Sequence, residues 1–87
     1  MEEEIGRITH FFSKINVAVL EISKGKIQIG ETIHIKGHTT DFYQKVESMQ
    51  VDHAPVEYGE KGQEIGMKVE NPVREHDVVL KVTEETG

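Results

Sequence analysis

The 87-residue chain carries 16 acidic and 10 basic side chains, a net charge of −6, with 36% hydrophobic and 30% charged residues. That length holds one domain with one small core, and the apolar share excludes an intrinsically disordered chain. The acid excess argues against bulk electrostatic capture of nucleic acid. The absence of cysteine excludes a disulfide scaffold, thiolate zinc and a cysteine nucleophile.

No run of about 18 apolar residues exists, so no membrane-spanning helix is expected. The opening Met-Glu-Glu-Glu is the opposite of a signal peptide's basic start. These features point to a cytoplasmic protein without membrane contact.

Residues 1–4 and 84–87 read as flexible, solvated ends of a single domain spanning 1–87. Residues 5–12 read as a strand, with Ile8, His10 and Phe12 on one side and Arg7, Thr9 and Phe11 on the other. Residues 13–15 suit a hairpin loop. Residues 16–22 (NVAVLEI) are apolar on both faces, as in a strand covered on both sides or lining a closed barrel. Residues 23–25 are a turn.

The stretch 25–37, GKIQIGETIHIKG, organises the rest. Ile27 and Ile29 alternate, Gly30-Glu31 makes a tight turn, and Ile33 and Ile35 alternate again. Ile33 and Ile35 face inward; Thr32, His34 and Lys36 face outward. Residues 37–40 form a polar turn. Residues 41–52 read as one long extended segment with a β-bulge near Glu47 and Ser48, where the step from Val46 to Met49 breaks the period of two. Residues 53–63 read as a loop broken by Pro55, Gly59 and Gly62. Residues 64–69 alternate, with Ile65, Met67 and Val69 inward. A turn around Pro72 leads to a last strand at 78–83, with Val78, Leu80 and Val82 inward.

No segment keeps a 3.6-residue apolar period over three turns, so little or no helix is expected. The pattern predicts an all-β fold, a small closed antiparallel β-barrel of six or seven strands. Closure removes exposed edges.

A family resemblance rests on five motifs in order. These are Gly6-Arg7-Ile8, the stretch from Gly25 to Ile35, Lys45-Val46-Glu47-Ser48-Met49, the stretch from Lys61 to Val69, and the segment from Val73 through Arg74-Glu75-His76-Asp77 to Val79. The series resembles the β-barrel domain 2 of translational GTPases such as elongation factor Tu and initiation factor 2. It looks closest to small stand-alone translation elongation factor-like proteins, and is similar to the barrel appended to collagenase-like peptidases, whose better-known members hydroxylate RNA. Glu31 and Gln63 stand where that pattern has aspartate, and His76 stands where it has glycine. No G-x-x-x-x-G-K-[ST] phosphate loop is present, so no GTP binding and no cofactor are expected.

Five histidines (His10, His34, His38, His53 and His76) lie in no metal-binding spacing and read as surface residues. Ser13, Ser23 and Ser48 lack a nucleophile context, and no catalytic residue is assigned. The candidate binding patch is Lys36, His38, Thr39, Thr40, Phe42 and Tyr43. It combines a cation, hydroxyls and two adjacent aromatics, one of which enters the core and leaves the other free to stack. The alternative for this loop is a turn with a packed aromatic. The resemblance implies a non-catalytic module contacting RNA or the translation machinery, with tRNA, rRNA or a ribosome-associated protein as partner. The alternative is a protein-interaction module that docks an enzyme or GTPase in trans without RNA.

Overall fold

The computed structural model describes residues 1–83. They form ten strands and no helix: β1 (Glu2–Phe12), β2 (Val17–Ile22), β3 (Lys26–Gln28), β4 (Thr32–Lys36), β5 (Asp41–Lys45), β6 (Met49–Val51), β7 (Ala54–Pro55), β8 (Tyr58–Glu60), β9 (Glu64–Lys68) and β10 (Val78–Val82). Eight pair antiparallel in the order β5-β4-β10-β1-β2-β9-β6-β7, and β3 pairs with β8 separately. The all-β, helix-free expectation holds. The strand count exceeds six or seven, and the ladder runs from edge to edge rather than closing on itself. β5 and β9, five places apart in that ladder, are bridged instead by a side chain. The buried amide of Gln44 donates to the Lys68 carbonyl (3.0 Å) and accepts from the Glu70 amide (2.9 Å).

The core follows the alternation of the aliphatic residues. Ala18, Leu20 and Ile22 of β2 are buried, as are Ile33 and Ile35 of β4 and Ile65, Met67 and Val69 at β9. Several expectations change. Glu2–Glu4 are not a frayed end, because they pair with Leu80 to Val82 on β10. A register shift between Ile8 and His10 reverses the alternation of β1. Ile8 is therefore buried while His10 and Phe12 turn outward and Phe11 packs on the core.

Residues 41–52 are two strands separated by a step at 46–48, where Val46 bonds to the Gly30-Glu31 turn through its amide and carbonyl, not one bulged strand. β5 pairs with β4, whereas β6 pairs with β7 and β9. The predicted loop at 53–63 contains β7 and β8. In β10, Val79 is the fully buried residue and Val78, Leu80 and Val82 are half-buried, the opposite phase to the one expected. Four apolar residues in five leave the phase of this strand open; pairing of Val79 with Gly6 and Ile35 decides it. Ile29 is 44% exposed, because β3 ends at Gln28 and the turn rotates the chain.

Three turns share one design. In residues 28–31, the Glu31 amide donates to the Gln28 carbonyl while the Gln28 amide donates to Glu31 Oε1. Residues 60–63 repeat this with Gln63 Oε1, and residues 74–77 repeat it with Asp77 Oδ2. Each third residue has positive φ: Gly30 at 94°, Gly62 at 91° and His76 at 76°. Glu31 and Gln63 thus do what an aspartate would do there, and His76 adopts the conformation that glycine favours.

Candidate functional site

The β4–β5 hairpin carries the residues singled out in the sequence. Its tip is closed by the Gly37 amide donating to the Thr40 carbonyl at 2.7 Å. Gly37 is required there, since a Cβ would lie 1.9 Å from Asp77 Oδ1. Lys36, His38 and Thr39 are exposed around the tip. Thr40 is buried, and Phe42 is half-buried against the core. Tyr43 is the outward aromatic, 54% exposed. The adjacent aromatics therefore divide as expected, one inward and one outward. Lys36, His38, Thr39 and Thr40 share the tip, Thr40 buried and the other three exposed, whereas Tyr43 belongs to a different cluster.

That cluster centres on His34, directly opposite Tyr43 across the two strands. The rings stack with centroids 4.1 Å apart and planes 16° from parallel. His34 Nδ1 is bonded to Glu2 Oε1 at 2.6 Å, Nε2 is bonded to the Asp41 carboxylate, and the Tyr43 hydroxyl donates to Glu2 Oε2 at 2.6 Å. A neutral imidazole has one N–H and cannot donate to two carboxylates; the imidazolium can. Burial alone pulls the His34 pKa down, but the hydrogen bonds and charges of Glu2 and Asp41 outweigh it, and the pKa is raised. The Tyr43 and His34 bonds lower the pKa of Glu2. The bond to Glu2 raises the pKa of Tyr43 and keeps its phenol protonated.

This corrects the reading of His34 as an outward surface residue: it is 7% exposed, covered by two carboxylates and a phenol ring. In the imidazolium form both nitrogens carry hydrogens directed at carboxylates, so neither offers a lone pair to a metal. The cluster is a clamp that ties the start of β1 across β10 to the β4–β5 hairpin. Glu2, His34 and Asp41 were absent from the sequence-based patch. Alternation on neighbouring strands could have paired His34 with Tyr43, but the Glu2 contact depends on β10 lying between β1 and β4.

The histidines do not converge. His10 lies near Glu75 and stacks on Phe12, His38 sits at the hairpin tip, and His53 and His76 occupy turns. Among the described residues no group of three or more His, Cys, Asp or Glu side chains forms a metal-sized cluster. Among them, too, no helix is long and apolar enough to cross a membrane.

No family model matches the chain. Over 93% of its length it is 42% identical to an uncharacterised protease of Methanocaldococcus jannaschii, covering 20% of that protein. Over 88% of its length it is 39% identical to a collagenase of Porphyromonas gingivalis, covering 22% of it. The chain thus spans about a fifth of the curated relatives it matches. Among solved structures, the C-terminal domain of a putative U32 peptidase from Geobacillus thermoleovorans superposes with a TM-score of 0.86 at 15% identity, covering 93% of both chains.

These relatives overturn the expectation of a translation-related, RNA-contacting module. None of them is a translation factor, whereas the likeness to collagenase-like peptidases is upheld. The chain is similar in sequence to one segment of proteases and collagenases, and it shares the fold of the C-terminal domain of a U32 peptidase.

Proposed function

We propose that the chain is a non-catalytic interaction module that docks onto a peptidase-type enzyme, in the same polypeptide or in trans. The observation that carries this reading is the 42% identity to about a fifth of a protease. A domain-sized segment of a larger enzyme, matched over 93% of this chain, is what a shared accessory domain leaves in a sequence. The arrangement of the His34 cluster is compatible with it, since its hydrogen bonds join β1, β4 and β5 to one another. The cysteine-free sequence suits a reducing compartment, and the proposal takes the cytoplasm as the setting.

We also infer that β5, β4, β10, β1, β2 and β9 curl into a six-stranded barrel whose seam is the Gln44 amide. The two hydrogen bonds from Gln44 to the end of β9 support this. Such a seam would protect the β5 edge, which otherwise offers unpaired backbone groups.

The test is affinity capture with the tagged chain from its own cell extract after nuclease treatment, with bound proteins identified. Recovery of a protease- or collagenase-type enzyme is the expected result. Recovery that disappears with the nuclease, or a partner set without such an enzyme, overturns the reading. A parallel gelatin-hydrolysis assay of the purified chain should show no turnover; cleavage would contradict the non-catalytic assignment.

A further inference from the structure

The outward face of β2, β9 and β6 carries a groove. Two adjoining hollows of about 370 and 220 Å³ share Ile15, Val17, Gln50 and Gly66. Phe12 (52% exposed) and Ile15 (61% exposed) stand along one wall. Val17 and Val19, half-buried, line the floor beside Gly66, which lies directly opposite Val19. Large apolar side chains left facing solvent around a hollow are the mark of an interaction surface.

The charges at the two ends differ. At one end Glu64 lies opposite Glu21, and Asp52 lines the same hollow. Carboxylates directly opposite on neighbouring strands repel. Arg7 sits opposite Glu21 on β1 and offsets one of the three. Among the described residues the ion pairs involve other carboxylates. At the other end the exposed Lys68 lies opposite Val17. The opposite wall ends in the tight turn of Asp52 (φ 51°) and His53 (φ 66°), two non-glycine residues with positive φ. These are the two loop residues of the β6–β7 hairpin, whose turn requires positive φ at both positions, and both line the larger hollow.

Glu64, Gly66 and Lys68 are spaced by two residues, so they share one face of β9 at intervals of about 7 Å. An extended segment lying along β9 has the same spacing. We propose that this groove binds an extended segment of the partner enzyme with the pattern acidic–x–apolar–x–basic. The apolar side chain seats over Gly66 between Val17 and Val19. The basic one meets Glu64, Glu21 and Asp52, and the acidic one meets Lys68. The inference rests on the enzyme-docking reading and names the surface and the motif it uses.

The probe is the capped peptide Glu-Ser-Leu-Ser-Lys, titrated into the folded chain and followed by amide chemical shifts. Shifts concentrated at Phe12, Ile15, Gln50, Asp52 and Gly66 are expected. Replacing the terminal lysine by glutamate should weaken binding about fivefold, and replacing leucine by serine should abolish it. Gly66→Leu fills the groove from within. A Cβ there meets Val17 Cγ1 at 3.7 Å and the Gln50 carbonyl at 3.9 Å, ordinary contact distances, so the side chain leaves the backbone without a clash; an unchanged thermal melt confirms that the variant is folded. Loss of at least about tenfold in affinity is expected. Ile15→Glu, on the exposed loop, should give a similar loss and serves as the second variant. No shifts at millimolar peptide, or binding indifferent to both variants, overturns the groove. If the enzyme is captured as proposed but Gly66→Leu captures it equally well, the groove fails and the module reading stands. If no such enzyme is captured by the wild type, the module reading fails, whatever the peptide does.

Discussion

The imidazole of His34 is stacked on the ring of Tyr43 at 4.1 Å and held at both nitrogens by carboxylates from β1 and the start of β5. This makes the clamp dependent on pH. The His34 pKa is raised above its ordinary 6.5, so its stabilisation is fully present below 6.5 and is lost as pH rises through the folded value. The Glu2 pKa is lowered from 4.5, so its contribution is present above 4.5 and is lost as pH falls through the folded value. The clamp is therefore strongest between these limits. Thermal melts of wild type and His34→Gln should differ most near pH 5–6 and converge toward pH 9. Parallel curves across that range would show that His34 is not charged in the fold.

His76 occupies the position that Gly30 and Gly62 fill in the two sister turns, at a φ of 76°. Its side chain is exposed. Left-handed backbone costs a non-glycine residue about 1–2 kcal/mol, partly offset by the extra freedom of glycine in the unfolded chain. His76→Gly should stabilise the protein by about 0.5–1 kcal/mol, a rise of about 2–8 °C in Tm. An unchanged or lower Tm would mean that the imidazole makes a compensating contact.

Gly6 faces the opposite constraint. A Cβ there would lie 2.1 Å from the backbone oxygen of Glu21 on β2. A backbone atom cannot swing aside as a side chain can. Gly6→Ala should cost about 3 kcal/mol, a large share of the 5–15 kcal/mol available to a small domain. Denaturant titration measures it; a loss below about 1 kcal/mol would mean that β1 and β2 separate easily.

Gln44 tests the seam. Gln44→Ala leaves the Lys68 carbonyl and the Glu70 amide without their partner. The expected cost is about 1–3 kcal/mol, with faster amide exchange at Glu70 and along β5. Exchange unchanged at both places would remove the side chain from the closure of the sheet.

The parts legible in the sequence were those governed by local chemistry. The Ile33/Ile35 and Ile65/Met67/Val69 alternations marked buried faces, and Gly30 marked its turn. What was missed depended on pairing. The phase of β10 was ambiguous because Val78, Val79 and Leu80 are all apolar, and only the register against Gly6 selects Val79. The His34 clamp needs Glu2, 32 residues away in the chain, and no local pattern signals it. The division of 41–52 into two strands follows from β5 and β6 lying far apart in the strand order, although the skipped beat between Val46 and Met49 did mark the place. The correspondence of Glu31 and Gln63 to aspartate and of His76 to glycine was legible, but the hydrogen bond each turn shares was not, because Glu31, Gln63 and Asp77 differ in identity.

The central claim is tested most directly by calorimetric titration of the purified chain into the enzyme recovered by capture, both free of nucleic acid. The account expects saturable, near-equimolar binding that persists at moderate salt with a negative heat-capacity change, as apolar burial requires. Absence of binding, or binding that appears only when RNA is added, would contradict it.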